Sequence, residues 1–422
     1  MSMNRRDFLK ASAAALATTA LAGCATTSGA NARGRVVVIG GGFGGATAAK
    51  YLKKWAPELD VTLVERNANF ISCPISNLVL AGVKNIDDIT LSYDGLKGHG
   101  VRLVRDEALA IDPDKRQVRL ANGEPLPWDR LIVAPGIDFL YDSIPGLNSS
   151  EAQAQVLHAW KAGPQTVALR QKLQALRNGG TFAISVPLMP YRCPPGPFER
   201  VSVIAEYFKQ HKPRSKILIL DANPDIVSKK ALFTEAWNTL YPGIVEYRNN
   251  SEVVDFDLRR NRAITEFNEV KADLFNIIPP QRAGAIATPL INVNDRWVGV
   301  EFLGFESKAI PGIHVIGDAI AAAPKMPKSG FMANNHAKLA ADAVIAHLAG
   351  IPVNSSPIIA NTCYSFVSAQ EAVHVASVHK FDPKEQTLVT VDGAGGLSAS
   401  RNRLEADYAL AWARNIWSDT LK

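Results

Sequence analysis

The β-branched run Arg35 to Ile39 ends directly in Gly40-Gly41-Gly42-Phe43-Gly44-Gly45, and the good helix-forming stretch Ala46 to Trp55 follows. Few folds accept that succession. The spacing Gly40-x-Gly42-x-x-Gly45 is the dinucleotide fingerprint: Gly40 makes the tight turn, Gly42 lets backbone approach a pyrophosphate, and Gly45 lets helix and strand pack closely. Phosphate charge then rests on the helix N-terminus. A second strand, Val61 to Val64, runs into Glu65 and Arg66, and Glu65 lies twenty residues after Gly45, where a carboxylate can hold ribose hydroxyls. Glycines alone are a weak signal. Strand, glycines, helix, strand and acid in that order are a strong one.

The chain has 422 residues, enough for two or three domains. No apolar run approaches the roughly 20 residues that span a bilayer, and a net charge of +6 without basic–aromatic clusters excludes a nucleic-acid face. Asn4-Arg5-Arg6-Asp7-Phe8-Leu9-Lys10 before the Ala-rich stretch Ala11 to Ala22 reads as a twin-arginine export leader spanning residues 1–32; a basic amphipathic helix explains neither the paired arginines nor the small-residue end. Two processing sites compete. Leu21-Ala22-Gly23-Cys24 resembles a lipobox, which would tether the protein through a lipid on Cys24, whereas Ala30-Asn31-Ala32 offers an A-x-A cleavage site. Leaders of this type imply export to the periplasm in a folded state, which suits a chain that loads a cofactor first.

The choice of cofactor comes from later segments. Leu131 to Gly136, including Ala134, is a strand running into a Pro-Gly turn, and Gly312 to Ala319 is a strand ending in Gly317-Asp318. Both resemble the secondary signatures of two-dinucleotide-domain flavoproteins, in which that aspartate binds the flavin ribityl chain; the plainer role for Asp318 is to cap the next segment. Lys325 to Gly330, with Lys328, Ser329 and Gly330 as candidate flavin contacts, leads into a helix expected from Met332 to His347, whose N-terminal dipole favours negative charge on a reduced flavin. FAD is the expected cofactor.

A second nucleotide-type domain is expected from Thr181 to Val186, Val201 to Lys212 and Lys216 to Asp221, but Pro187 to Arg200 stands where a nicotinamide enzyme places glycines. Proline has no amide hydrogen to offer a pyrophosphate, so this loop is unfit for NAD(P)H and presents Cys193 instead. Val253 to Phe267 reads as a hairpin closing this domain, with Ala272 to Ile278 returning toward the first. In the last region Ala372 to His379 and Gln386 to Val391 are paired strands, and Leu404, Tyr408, Trp412 and Ile416 share a helix face, for core packing or a partner. The expected class is α/β: two interleaved Rossmann-like domains, 33–145 with 275–350 for FAD and 146–274 without an NAD site, followed by a C-terminal α+β interface domain, 351–422.

There are four cysteines. Cys24 belongs to the leader or its anchor, and Cys73, Cys193 and Cys363 allow three pairings, between which sequence does not choose. No Cys-x-x-Cys-His or iron–sulfur spacing occurs, the eight histidines are scattered, and no metal site is expected. An electron acceptor must therefore be a separate molecule.

These segments carry a family resemblance. Residues 40–50 (GGGFGGATAAK), 192–200 (RCPPGPFER), 278–284 (IPPQRAG), 326–330 (MPKSG) and 361–365 (NTCYS) are similar to the flavoprotein subunit of flavocytochrome c sulfide dehydrogenase, over about Gly34 to Lys422. The resemblance implies a glutathione-reductase-like fold, covalent flavin through Cys73, a redox-active disulfide between Cys193 and Cys363, Glu199 as a base, and a c-type cytochrome as partner. After Cys73 this chain reads Pro74-Ile75-Ser76-Asn77 where some members read Tyr-Leu-Ser-Asn. The chemistry also has a direct rationale. Hydrosulfide is a soft nucleophile that attacks a disulfide, giving a persulfide and a thiolate, and Glu199, six residues after Cys193, can manage a proton or simply sit as a helix-start carboxylate.

The expected function is sulfide dehydrogenation with cytochrome reduction. Sulfide:quinone oxidoreduction, a non-catalytic flavin-binding activator of a sulfur-oxidation partner, and an inert structural disulfide are the alternatives.

Overall fold

The structure, a computed structural model, describes residues 34–422. The leader, Cys24 and both processing sites lie outside the described residues.

A seven-stranded sheet organises the first domain in the order Val300–Glu301, Glu306–Ser307, Ile313–Val315, Arg130–Val133, Arg35–Ile39, Asp60–Val64, Arg102–Val104. The last five strands are parallel. Val36, Val37 and Val38 are buried on both faces of the sheet, which is why the run is continuously apolar rather than alternating. The helices Phe43–Trp55 and Gly330–Ala349 pack together over it. Ser329 caps the second of these, accepting the Met332 amide at 3.0 Å, so the helix begins at Gly330.

The middle domain is built on four parallel strands, Val245–Arg248, Lys216–Asp221, Thr181–Val186 and Leu274–Asn276. Their two-residue period sorts the side chains. Phe182, Ile184, Ile217 and Ile219 meet the helices Pro164–Ala175, Gly196–His211 and Lys230–Leu240, whereas Ala183, Leu218, Leu220 and Phe275 meet the meander Val253–Asp257, Arg262–Thr265, Glu269–Lys271. The sequence reading begins the return to the first domain at residue 275. That is corrected here: Leu274–Asn276 pairs with Thr181–Val186, and the crossover runs instead through Gln281–Ala283, antiparallel to Ile137–Phe139. The helix expected from Val201 starts at Gly196, because Pro197 in its first turn has no amide that the helix needs.

The last domain is an antiparallel sheet of Ile358–Phe366, Ala372–Asp382 and Thr387–Leu397 followed by the helix Arg403–Leu421. The first of these strands, absent from the sequence reading, carries Cys363. The closing helix is clamped to the first domain: Asp419 accepts from Tyr51 Oη at 2.6 Å and Asn334 Nδ2 at 2.8 Å, and its carbonyl accepts from Lys50 Nζ at 2.8 Å. All three domains therefore border one central space.

Candidate active site

That space is a cavity of about 720 Å³ running from the glycine turn to the cysteines. At its far end Gly40 has φ +94°, and a Cβ there would collide with the Ala134 carbonyl oxygen. A Cβ on Gly45 would overlap the Gly40 carbonyl oxygen, so the helix can approach the strand only without one. Gly42 faces open space. Glu65 accepts the Gly41 amide at 2.6 Å and the Asn67 amide at 2.7 Å, which fixes its carboxylate at the cavity wall beside Arg66, itself paired with Glu107 at 2.7 Å.

Farther in, Ala134, Gly136, Gly317 and Asp318 form part of the wall. Oδ1 of Asp318 is shielded and has no hydrogen-bond partner, an orphan that a ligand hydroxyl satisfies. Burial pushes this carboxyl above its ordinary range, against the pull of Arg192 and Lys328. A glycine cradle, an acid at the second strand end and an unpartnered oxygen midway fit an elongated dinucleotide. Ser329 and Gly330 also line the cavity. Lys328 does not, and that candidate contact is corrected. Its ammonium is turned behind the wall, donating to the carbonyls of Asp318, at 3.0 Å, and Ile320, and lying 3.7 Å from the Trp297 ring centroid. Burial lowers its pKa to about 7.

The three cysteines are unbonded in the structure, and all three line this cavity. Cys73 accepts a hydrogen bond from the Ala162 amide at 3.4 Å and precedes a tight turn in which Ser76 Oγ donates to its carbonyl at 2.6 Å. Cys193 and Cys363 are keyed to the same turn. The Cys193 amide donates to the Lys328 carbonyl at 2.8 Å, while the adjacent Ser329 Oγ donates to Asn361 Oδ1 at 2.7 Å, and Asn361 Nδ2 donates to the Cys363 sulfur at 3.3 Å. Burial raises both thiols, most strongly Cys193, and the nearness of each to other negative groups adds to it; Lys229, Asn361 and Ser329 pull Cys363 back down. Ile75 and Cys193 have φ of +75° and +58°, a left-handed backbone that non-glycine residues adopt at a cost and that gathers at functional sites.

Glu199, in the opening turns of its helix, is half-buried and accepts from Asn77 Nδ2 at 2.7 Å and the Phe366 amide at 2.9 Å. Burial raises its pKa, and these two donors hold the rise in check. Sequence reasoning missed the residues that brace it. Arg200, 1% exposed, donates to Asn77 Oδ1, Asn276 Oδ1 and the carbonyls of His158 and Ala159 at 2.7–3.1 Å, over the Trp160 ring. The signal was available: Arg200 lies on the helix stripe of Pro197, Val201 and Ile204, where a charge is unexpected without partners. Lys229, behind Cys363, gave no such sign.

Fold and site together define a flavin-dependent oxidoreductase of the two-dinucleotide-domain class. Residues 166–279 match the family described as sulfide dehydrogenase [flavocytochrome c] flavoprotein chain, central; residues 355–421 match flavocytochrome c sulphide dehydrogenase, flavin-binding; and 34–178 match pyridine nucleotide-disulphide oxidoreductase. The sulfide dehydrogenase [flavocytochrome c] flavoprotein chain of Chlorobaculum thiosulfatiphilum is 62% identical over 45 residues, 11% of this chain and 94% of that sequence. The chain belongs to this flavoprotein family. Mitochondrial sulfide:quinone oxidoreductase of Mus musculus is 24% identical over 301 residues, 67% of this chain and 65% of the mouse protein, just under two thirds of its length. The sulfide:quinone oxidoreductase structure from Aquifex aeolicus shares the fold, with a TM-score of 0.76 at 18% identity over 92% of this chain and 91% of that one. Residues 2–22 match a twin-arginine translocation signal, which directs export to the periplasm.

Proposed function

We propose that this flavoprotein oxidises hydrosulfide through a Cys193–Cys363 disulfide and passes the electrons to a c-type cytochrome. The reading rests above all on the two cysteines, 170 positions apart in sequence, bordering one cavity and tied to one turn beside Glu199. Hydrosulfide bonds to the Cys193 sulfur, the disulfide breaks, and its electron pair leaves on Cys363, which has the Asn361 donor and the Lys229 charge to stabilise a thiolate. Cys193 keeps the new sulfur as a persulfide. FAD, when bound, would supply the two-electron acceptor for the persulfide and thiolate together, as the Cys363 sulfur bonds to the outer persulfide sulfur. Glu199, half-buried and held by two donors, takes the proton shed by the bound sulfur. Gly40, Gly42, Glu65 and Asp318 hold the dinucleotide, and Cys73 attaches it covalently. Lipidation at Cys24 would add a membrane tether; the mass of the mature protein decides it.

Anaerobic titration of the holoenzyme with stoichiometric sulfide tests the central step. The flavin absorbance bleaches in the wild type, whereas Cys193→Ser and Cys363→Ser keep their FAD and do not bleach. Normal turnover in either variant eliminates the disulfide mechanism, and a wild type inert to sulfide favours the non-catalytic activator. The names of the mouse and Aquifex relatives keep quinone as the second acceptor reading. Parallel assays with cytochrome c and with a short-chain quinone separate the two.

A further inference from the structure

Lys229 precedes the helix Lys230–Leu240 of the middle domain, yet its side chain reaches into the C-terminal sheet. Its ammonium donates to the Cys363 carbonyl at 2.9 Å and to Ser365 Oγ at 2.8 Å. Only 4% of the residue is exposed, and its backbone is left-handed at φ +56°. Both acceptors are neutral. Among the described residues no carboxylate forms an ion pair with this lysine, so its charge is buried without being neutralised, an expensive arrangement for a merely structural residue. The groups that face it are Cys363 on the strand, Cys193 on the proline loop, Glu199 on the helix Gly196–His211 and Glu405 on the closing helix, with the Phe233 ring 5.9 Å away. Negative charge appears at only one sulfur when a disulfide opens, and the cation sits on the Cys363 side.

We infer that Lys229 is the positioning residue that makes Cys363 the departing sulfur, by holding its strand segment and placing a positive charge beside the thiolate. The inference rests on the disulfide reading above. In that step hydrosulfide bonds to Cys193, the bond to Cys363 breaks with its electron pair on Cys363, and the lysine keeps all its protons. Loss of the charge leaves Cys363 only the Asn361 donor to stabilise its thiolate and so makes it a poorer leaving group, and loss of the two hydrogen bonds frees the strand that presents it.

The experiment uses FAD-loaded holoenzyme as wild type, Lys229→Met and Lys229→Arg. After reduction by a phosphine, the alkylation rates of Cys193 and Cys363 by iodoacetamide are followed by mass spectrometry across pH 6 to 9. In the wild type Cys363 reacts at lower pH than Cys193; in Lys229→Met its profile moves up by about one pH unit, and Lys229→Arg restores it. Sulfide-dependent flavin reduction in Lys229→Met slows about tenfold at unchanged FAD content. An unshifted Cys363 profile in Lys229→Met overturns the inference, and so does a wild type in which Cys193 ionises first, a comparison that requires no variant to fold. Because alkylation involves no sulfide, a wild type inert to sulfide defeats the proposed function without deciding the role of Lys229.

Discussion

Glu199 accepts a hydrogen bond from Asn77 Nδ2 at 2.7 Å, and Asn77 Oδ1 in turn accepts from Arg200 Nε at 3.1 Å. A three-membered network thus locks the helix that follows Cys193 to the segment that follows Cys73. The two ends of the flavin-facing wall cannot move independently, and the carboxylate beside the sulfurs is oriented before any substrate arrives.

Glu199 makes stability depend on pH in a specified direction. Its folded pKa is raised by burial above its ordinary 4.5, so the folded state binds its proton more tightly than the unfolded chain does. The contribution is complete below about pH 4.5 and is lost as pH rises through the folded value. Glu199→Gln removes that dependence. Urea denaturation midpoints between pH 4 and 8 should decline less with pH in the variant, offset by about 1 kcal/mol for the one acceptor bond that an amide cannot reproduce. An identical slope in both proteins would assign the dependence elsewhere.

Arg200 contributes through the acceptors it satisfies. Arg200→Met leaves Asn77 Oδ1, Asn276 Oδ1 and the Ala159 carbonyl without this donor inside the protein, while the His158 carbonyl keeps Asn276 Nδ2, at a cost of about 3–5 kcal/mol. The denaturation midpoint measures it. A loss below about 1 kcal/mol would mean that water reaches these groups.

The proposed covalent link through Cys73 predicts how the flavin is retained. Acid precipitation of wild-type holoenzyme should leave the yellow chromophore in the pellet, whereas Cys73→Ser should release it to the supernatant while still binding it in the native state. Free flavin from denatured wild type refutes the covalent link.

Gly45 limits the approach of the first helix to its strand. In Gly45→Ala the new methyl meets the Gly40 carbonyl oxygen, which is backbone and cannot turn aside. We expect a loss of about 2–3 kcal/mol and most of the FAD content, read by absorbance ratio and thermal melting. Gly42→Ala, whose methyl enters open space in the structure, should fold normally and lose only cofactor affinity.

Much of this molecule is visible in short stretches of chain. Arg35 to Glu65 specifies strand, turn, helix and strand by local spacing, because each glycine answers a steric demand made within a few residues. The proline loop likewise stands out in the sequence where a nicotinamide enzyme places glycines, and it sets the expectation of a second domain without a nicotinamide site. The strand Ile358–Phe366 was not visible, since Asn361-Thr362-Cys363-Tyr364-Ser365 lacks a simple alternation and becomes a strand by pairing with Ala372–Asp382. Lys328 is the opposite case: its place in Met326-Pro327-Lys328-Ser329-Gly330 suggested a flavin contact, but the stem found the carbonyls of Asp318 and Ile320 first.

The order of residues alone determined the dinucleotide turn, the export leader and the presence of Cys73, Cys193 and Cys363, because these are properties of neighbours along the chain. Which sulfurs share a wall, that Arg200 rather than solvent holds Asn77, and that a lysine from one domain lies behind Cys363 in another were decided only by the folded packing. Such relations join residues more than a hundred positions apart, and their energies come from burial and from the direction of hydrogen bonds, neither of which exists until the three domains close around their common space.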